Sequence, residues 1–316
     1  MLWVVIGHAG PSPSLDDYPT YALFLHDFAY SFHMPLFIAI SGFLFYLTRL
    51  DSDKWTYVTT MKEKLVRFGI PFLVFTFVAL LLKSAFSGAV DRGTSLSINE
   101  YIKAILVPYD GPMREFWFLA AIMWFFALYP LWKFATKNKW VALLLLVLLL
   151  LMAVWYPKTN FLAIQSVCTK AIYFYLGLLC AVYYKKSPDF INKKFFLIGS
   201  LCVGIVVYLM GRIWNVPFLS PLGGAAFSLS LAIILDKVFS KCFSGFRNYT
   251  YQIYLLGIFF QVLLSIIRRR YGLPFTPIFI LNIFTGLYAP VLISKLFEWI
   301  NWRPLLLCVG LKKKNK

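Results

Sequence analysis

Apolar residues fall in long runs separated by short polar or basic connections. The runs are Met1–Gly10, which is short, then Ala29–Leu47, Phe68–Phe86, Phe116–Ala135, Trp140–Tyr156, Lys170–Tyr184, Phe195–Gly211, Val216–Leu235, Thr250–Ile267 and Pro277–Ile300. About 20 apolar residues cover the hydrocarbon core of a bilayer. The pattern therefore predicts about ten transmembrane helices. Membrane strands would instead be short and alternating. The expected fold class is all-α, a polytopic transmembrane helical bundle forming one domain over residues 1–316. Met1–Gly10 is too short to cross and has no basic leader of the signal-peptide kind. The first helix is read as truncated, with its start upstream of Met1.

Composition strengthens the membrane reading. Apolar residues make up 60% of the chain and charged residues 14%, whereas a soluble domain carries about 25% charge. The net charge of +18 comes from 31 Lys and Arg against 13 Asp and Glu. The basic residues lie mostly between apolar runs, which is a topology signal and not a nucleic-acid patch.

One side collects Arg49, Lys54, Lys62, Lys64 and Arg67; Lys133, Lys137 and Lys139; Lys185, Lys186, Lys193 and Lys194; Lys237, Lys241 and Arg247; and Arg303, Lys312, Lys313, Lys314 and Lys316. The other side holds Arg92, Lys103, Arg114, Lys158, Lys170, Arg212 and Arg268–Arg270. The bias predicts both termini in the cytoplasm, in a cell membrane. Arg268–Arg270 is the one cluster that breaks it. Trp117, Trp132, Trp140, Trp155, Trp299 and Trp302 mark segment ends as an interfacial belt. The five cysteines, Cys168, Cys180, Cys202, Cys242 and Cys308, form no Cys-x-x-Cys pair and read as small apolar side chains.

Three histidines, His8, His26 and His33, all fall near the start. His8 ends the first run and His33 begins the second. A short loop holding His26 then makes His8 and His33 neighbours near the outer face. Neutral imidazole can accept a proton, so both are candidate catalytic groups. No His-x-x-His or Cys/His spacing supports a metal site.

Further along, Lys64 and Arg67 lie in the basic stretch Lys62–Pro71, on one face if that stretch is helical. Such a face suits a phosphorylated donor or anionic lipid. Ser41-Gly42 is a substrate contact or a site of close helix packing. Glu115, beside Trp117, orients a histidine or a sugar hydroxyl, or faces water. Asn248-Tyr249-Thr250 matches a glycosylation sequon on a loop predicted to be cytoplasmic, which discounts it. Serine-hydrolase, phosphate-loop, dinucleotide and zinc-protease signatures are missing.

Four stretches resemble the acyltransferase 3 family of multi-spanning membrane O-acyltransferases. They are Val4-Val5-Ile6-Gly7-His8; Phe32-His33-Met34-Pro35-Leu36-Phe37 with Ser41-Gly42-Phe43-Leu44; Lys64-Leu65-Val66-Arg67 with Pro71; and Phe116-Trp117-Phe118-Leu119. Three features depart from the family pattern. Lys64 replaces the first arginine of a basic pair, Gly257 stands where a late histidine is usual, and the arginine that precedes the first histidine falls upstream of Met1.

The resemblance implies acyl-CoA, in particular acetyl-CoA, as donor substrate, and no bound cofactor. It implies a carbohydrate acceptor, either a surface polysaccharide or a lipid-linked glycan. Membrane lipid is a partner and nucleic acid is not. His8 would be general base and His33 its support. Lys64, Arg67, Ser41, Glu115 and Trp117 would contact substrates. Two rivals are a transporter or flippase of a polar or lipid-linked substrate, and a structural subunit of an export machine.

Overall fold

The computed structural model describes residues 1–10, 18–52, 56–86, 94–191, 193–239 and 243–313. The topology residues Lys54, Arg92, Lys241, Lys314 and Lys316, and the cysteine Cys242, lie outside the described residues. Every apolar run is helical, and no strand occurs among the described residues.

The helices are α1 (Leu2–Ala9), α2 (Thr20–Leu50), α3 (Tyr57–Ala85), α4 (Ile98–Leu106), α5 (Trp117–Ala127), α6 (Tyr129–Ala135) and α7 (Lys139–Val154). They continue with α8 (Ile164–Lys186), α9 (Pro188–Ile191), α10 (Lys194–Ile213), α11 (Leu219–Val238), α12 (Thr250–Tyr271), α13 (Phe275–Ile300) and α14 (Arg303–Cys308). Local chemistry sets several starts. Asn138 caps α7 by accepting from the amides of Trp140 and Val141, Ser97 caps α4, and Thr56 forms a capping box with Thr59.

The chain is an all-α multi-pass membrane protein, but ten spans is an overcount. Seven helices among the described residues are long and apolar enough to cross, or eight if α5 and α6 make one broken span. The helix α7 has 16 residues, roughly 24 Å at about 1.5 Å per residue, against a core of roughly 30 Å. The helix α1 has 8 residues. Between α5 and α6 the axis bends by 57°, where Pro130 cannot donate a backbone hydrogen bond. There the indole of Trp132 donates to the Phe125 carbonyl at 2.6 Å.

Two other boundaries moved. α2 starts at Thr20 and not near Ala29, so His26 is helical and His33 lies well inside the helix. The basic stretch expected as a connection is part of α3, interrupted by a π-helical turn at Leu65–Gly69. A second π turn, Tyr46–Leu50, ends α2.

The helices form two compact units, Met1–Phe37 with Ser187–Ile300, and Ile38–Lys186 with Asn301–Lys316. In the first, α10 and α11 pack through glycines. A Cβ on Gly204 would lie 2.6 Å from the Phe227 amide nitrogen. α12 ends at Gly272, whose φ of +60° lies in the left-handed region open to glycine. α13 returns along it, and α1 is held by both through Val5, Ile253, Leu287 and Val291. In the second unit, Phe45, Phe125, Phe126, Phe174 and Trp132 form an aromatic core. There α2 crosses α8 backbone to backbone, with Gly42 against Phe174 and Gly177 against Ala39. Small residues allow this approach where lipid supplies no hydrophobic drive between helices.

Candidate active site

A buried histidine needs its polar atoms engaged, and α2 supplies partners at helical spacing. His26, Tyr30 and His33 lie four and three residues apart, on one face. Tyr30 stacks on His26, with centroids 4.2 Å apart. It meets the His33 ring edge-on at 4.9 Å. His33 is 2% exposed, and its Nδ1–H donates to the Ala29 carbonyl at 2.8 Å. That bond fixes the tautomer and makes Nε2 the acceptor nitrogen.

α1 brings His8 to this face. Its Nδ1 and the Tyr30 hydroxyl are hydrogen-bonded at 2.9 Å, and its ring lies 6.1 Å from that of His33. Gly7 permits the approach, since a Cβ there would lie 3.1 Å from the Tyr30 ring. When His8 donates from Nδ1 to the phenol oxygen, Nε2 is its basic nitrogen. Gln261 of α12 anchors α1 from the other side, donating from Nε2 to the Val5 carbonyl at 2.8 Å.

Gly257, in place of the family's late histidine, packs on α13. A Cβ there would lie 2.8 Å from the Gly286 carbonyl oxygen, so an imidazole would force the two helices apart. Among the described residues, no three His, Cys, Asp or Glu are grouped to hold a metal.

The remaining predicted residues belong to the second unit. The Lys64 ammonium lies over the Phe126 ring at 4.4 Å and near Phe45 and Phe68 at 5.6 and 5.8 Å. Arg67 is exposed, over the Phe68 ring at 5.6 Å. The π turn lies between them, yet both cations keep to the Phe68 ring, Lys64 half-buried toward Phe126 and Phe45 and Arg67 exposed. Beside them Glu63 accepts from Arg49 at 2.6 Å and from Lys312 at 2.9 Å. Two cations thus pair with the Glu63 carboxylate, and Lys64 and Arg67 stand nearby on the same helix, a local excess of positive charge.

Ser41 is half-buried next to the Gly42 crossing. Glu115 lies in a short 3-10 turn leading to Trp117. Trp117 is stacked on Tyr109 at 5.6 Å and approached by the Lys170 ammonium at 5.2 Å. Tyr109 is hydrogen-bonded to Ser166 at 2.7 Å. Burial raises its phenol above the ordinary range, with the Ser166 bond opposing.

Tyr30, Gln261, Arg49 and Lys312 were not singled out from sequence. The signal for Tyr30 was present in its spacing from His26 and His33, once the helix is started at Thr20. For Gln261 no local signal exists, because its partner Val5 is remote in the chain.

A family model described as an acyltransferase domain matches residues 1–295. No curated protein and no solved structure gives a significant match. The match takes in most of both units and every residue of the candidate site except Lys312. The chain belongs to the acyltransferase 3 family and is a multi-pass membrane enzyme that transfers acyl groups.

Proposed function

We propose that the enzyme moves an acetyl group from acetyl-CoA to a hydroxyl of a surface or lipid-linked carbohydrate, with His8 as general base. The observation that carries this reading is the His8–Tyr30 hydrogen bond at 2.9 Å, with His33 alongside. A phenol that accepts from Nδ1 keeps Nε2 basic and oriented.

His8 Nε2 removes the acceptor hydroxyl proton as its oxygen bonds to the thioester carbonyl carbon. The carbon–sulfur bond then breaks, and the imidazolium returns the proton to the departing thiolate. An ester and a free thiol result, and every proton is accounted for. Such general-base assistance is typically worth about 10²–10⁴-fold in rate. His33, locked by the Ala29 carbonyl, supports the acceptor side.

The cations Arg49, Lys64, Arg67 and Lys312 are assigned to the phosphates of the donor, on the cytoplasmic side that the Lys/Arg bias predicts for both termini. Ser41, Glu115 and Trp117 are further substrate-contact proposals.

The test is expression of the wild type and His8→Ala in a host lacking its own copy, with surface-glycan O-acyl groups measured by mass spectrometry. Acylation by the wild type alone is expected. Equal acylation by both overturns the role of His8.

A further inference from the structure

The three arginines that break the charge bias, Arg268–Arg270, end α12, and the first of them lines a cleft beside the histidine-bearing helix. The cleft is open to solvent, with about 240 Å³ of empty space when its open mouth is included, and is lined by Ala9, Gly10, Tyr18, Ser265, Arg268 and Asn282, among others. Helical register explains its place. Gln261 grips the Val5 carbonyl, and Gly286 packs against both, a Cβ there lying 2.9 Å from Gln261 Nε2 and from Val5 Cγ1. One turn further along each helix stand Ala9 on α1, Ser265 on α12 and Asn282 on α13. Arg268 follows Ser265 by another turn. The contact that docks α1 therefore continues into the cleft, and the cleft begins at the residue after His8.

Its polar groups are complementary in kind. The Arg268 guanidinium lies 5.5 Å from the Tyr18 ring and 5.5 Å from the Phe275 ring. Those rings form a T-shaped pair at 5.2 Å. Arg268 also donates to the Tyr18 hydroxyl at 3.5 Å. Two rings thus restrict the guanidinium while its planar fork keeps donors for an oxyanion. Asn282 is 2% exposed, and among the described residues its Oδ1 accepts no hydrogen bond. A buried acceptor left unfilled is costly and calls for a donor. Ser265 donates to the Gln261 carbonyl at 2.8 Å, which leaves its own oxygen able to accept. The cleft thus offers a fixed cation and two acceptor oxygens, and a ligand that fills it carries both an oxyanion and hydroxyl donors.

We propose that this cleft is an acceptor subsite that binds an anionic, hydroxyl-bearing sugar unit, with Arg268 on the oxyanion and Asn282 and Ser265 on hydroxyls. The proposal rests on the reading that His8 serves the acceptor. The oxyanion is a sugar carboxylate or the phosphate that joins a glycan to its lipid carrier.

The test uses the full chain in lipid nanodiscs and reads binding separately from turnover. A disaccharide containing glucuronic acid, its methyl ester, and a neutral disaccharide on a lipid pyrophosphate are titrated by calorimetry against the wild type, Arg268→Gln and Asn282→Leu. Wild-type binding of an anionic probe is expected to weaken about 10–100-fold in Arg268→Gln, since hydrogen bonds to charged groups are the stronger kind. The methyl ester should not distinguish the two proteins. A response confined to the glucuronate assigns the carboxylate, and one confined to the pyrophosphate assigns the lipid carrier. Equal binding of each anionic probe by wild type and Arg268→Gln, or no binding of any probe by the wild type, overturns the subsite. Thermal unfolding of Arg268→Gln verifies folding, and Arg268→Lys, which keeps charge but loses the planar fork, is expected to recover part of the affinity. Binding that depends on Arg268 without any acyl transfer by the wild type would leave the subsite standing and refute the proposed reaction instead.

Discussion

The Nδ1 of His8 and the hydroxyl of Tyr30 are 2.9 Å apart, a hydrogen bond between α1 and α2. The same phenol ring is stacked on His26 and set edge-on to His33. Tyr30→Phe keeps the ring contacts and removes only the hydroxyl. Acyl transfer is expected to fall about fivefold and thermal stability only slightly, the loss of one hydrogen bond being worth about 1 kcal/mol. The pH profile of turnover should also move, because the phenol biases the His8 tautomer. An unchanged rate and profile would show that Tyr30 is only a packing residue.

His33 is buried with its Nδ1–H committed to Ala29. His33→Asn retains a donor at a similar place and is expected to fold, whereas His33→Ala leaves a void. Both should acylate poorly, and only the alanine variant should melt appreciably earlier. Wild-type turnover by His33→Asn would remove His33 from the reaction.

Gln261 and Gly286 set the seat of α1. Gln261→Leu forfeits the bond to the Val5 carbonyl and should cost about 1 kcal/mol. Gly286→Ala drives a methyl group into Gln261 and Val5 and should cost roughly 1–3 kcal/mol. Thermal unfolding in detergent reads both. Because α1 carries His8, activity should decline in each more than the loss of folded protein accounts for.

Lys64 faces three aromatic rings. Lys64→Met keeps the apolar stem and drops the charge. If the cation meets the donor's phosphates, the KM for acetyl-CoA rises several-fold and loses part of its salt dependence, while kcat toward saturating donor changes little. A salt response identical to the wild type would place the donor elsewhere.

The sequence and the structure agree where the information is local. Each apolar run is helical, and the link between His8 and His33 follows from two helices joined by a short connection. Disagreement begins where hydropathy stops being informative. The first turns of α2 are mixed in polarity, so Ala29 looked like its start and Tyr30 lost its register with His26. α7 is apolar enough but too short, a matter of length that hydropathy alone overstated. Arg268 read as an anomaly of topology, because Asn282, Ser265 and the end of α1 meet it only after α12 and α13 fold back on each other.

The π turn at Leu65–Gly69 has a consequence for how this gene can change. Such a turn is an α-helix holding one surplus residue. Deleting any single residue within it would let the helix relax to ordinary pitch and rotate the flanking segments by about 100° relative to each other. Lys64 would swing away from Phe126 even where the deleted residue did not carry one of the rings around it. The position of this cation is therefore encoded by a residue count as much as by a residue identity. A frame-preserving loss of one codon there is expected to cost the enzyme more than most substitutions of Lys64 itself.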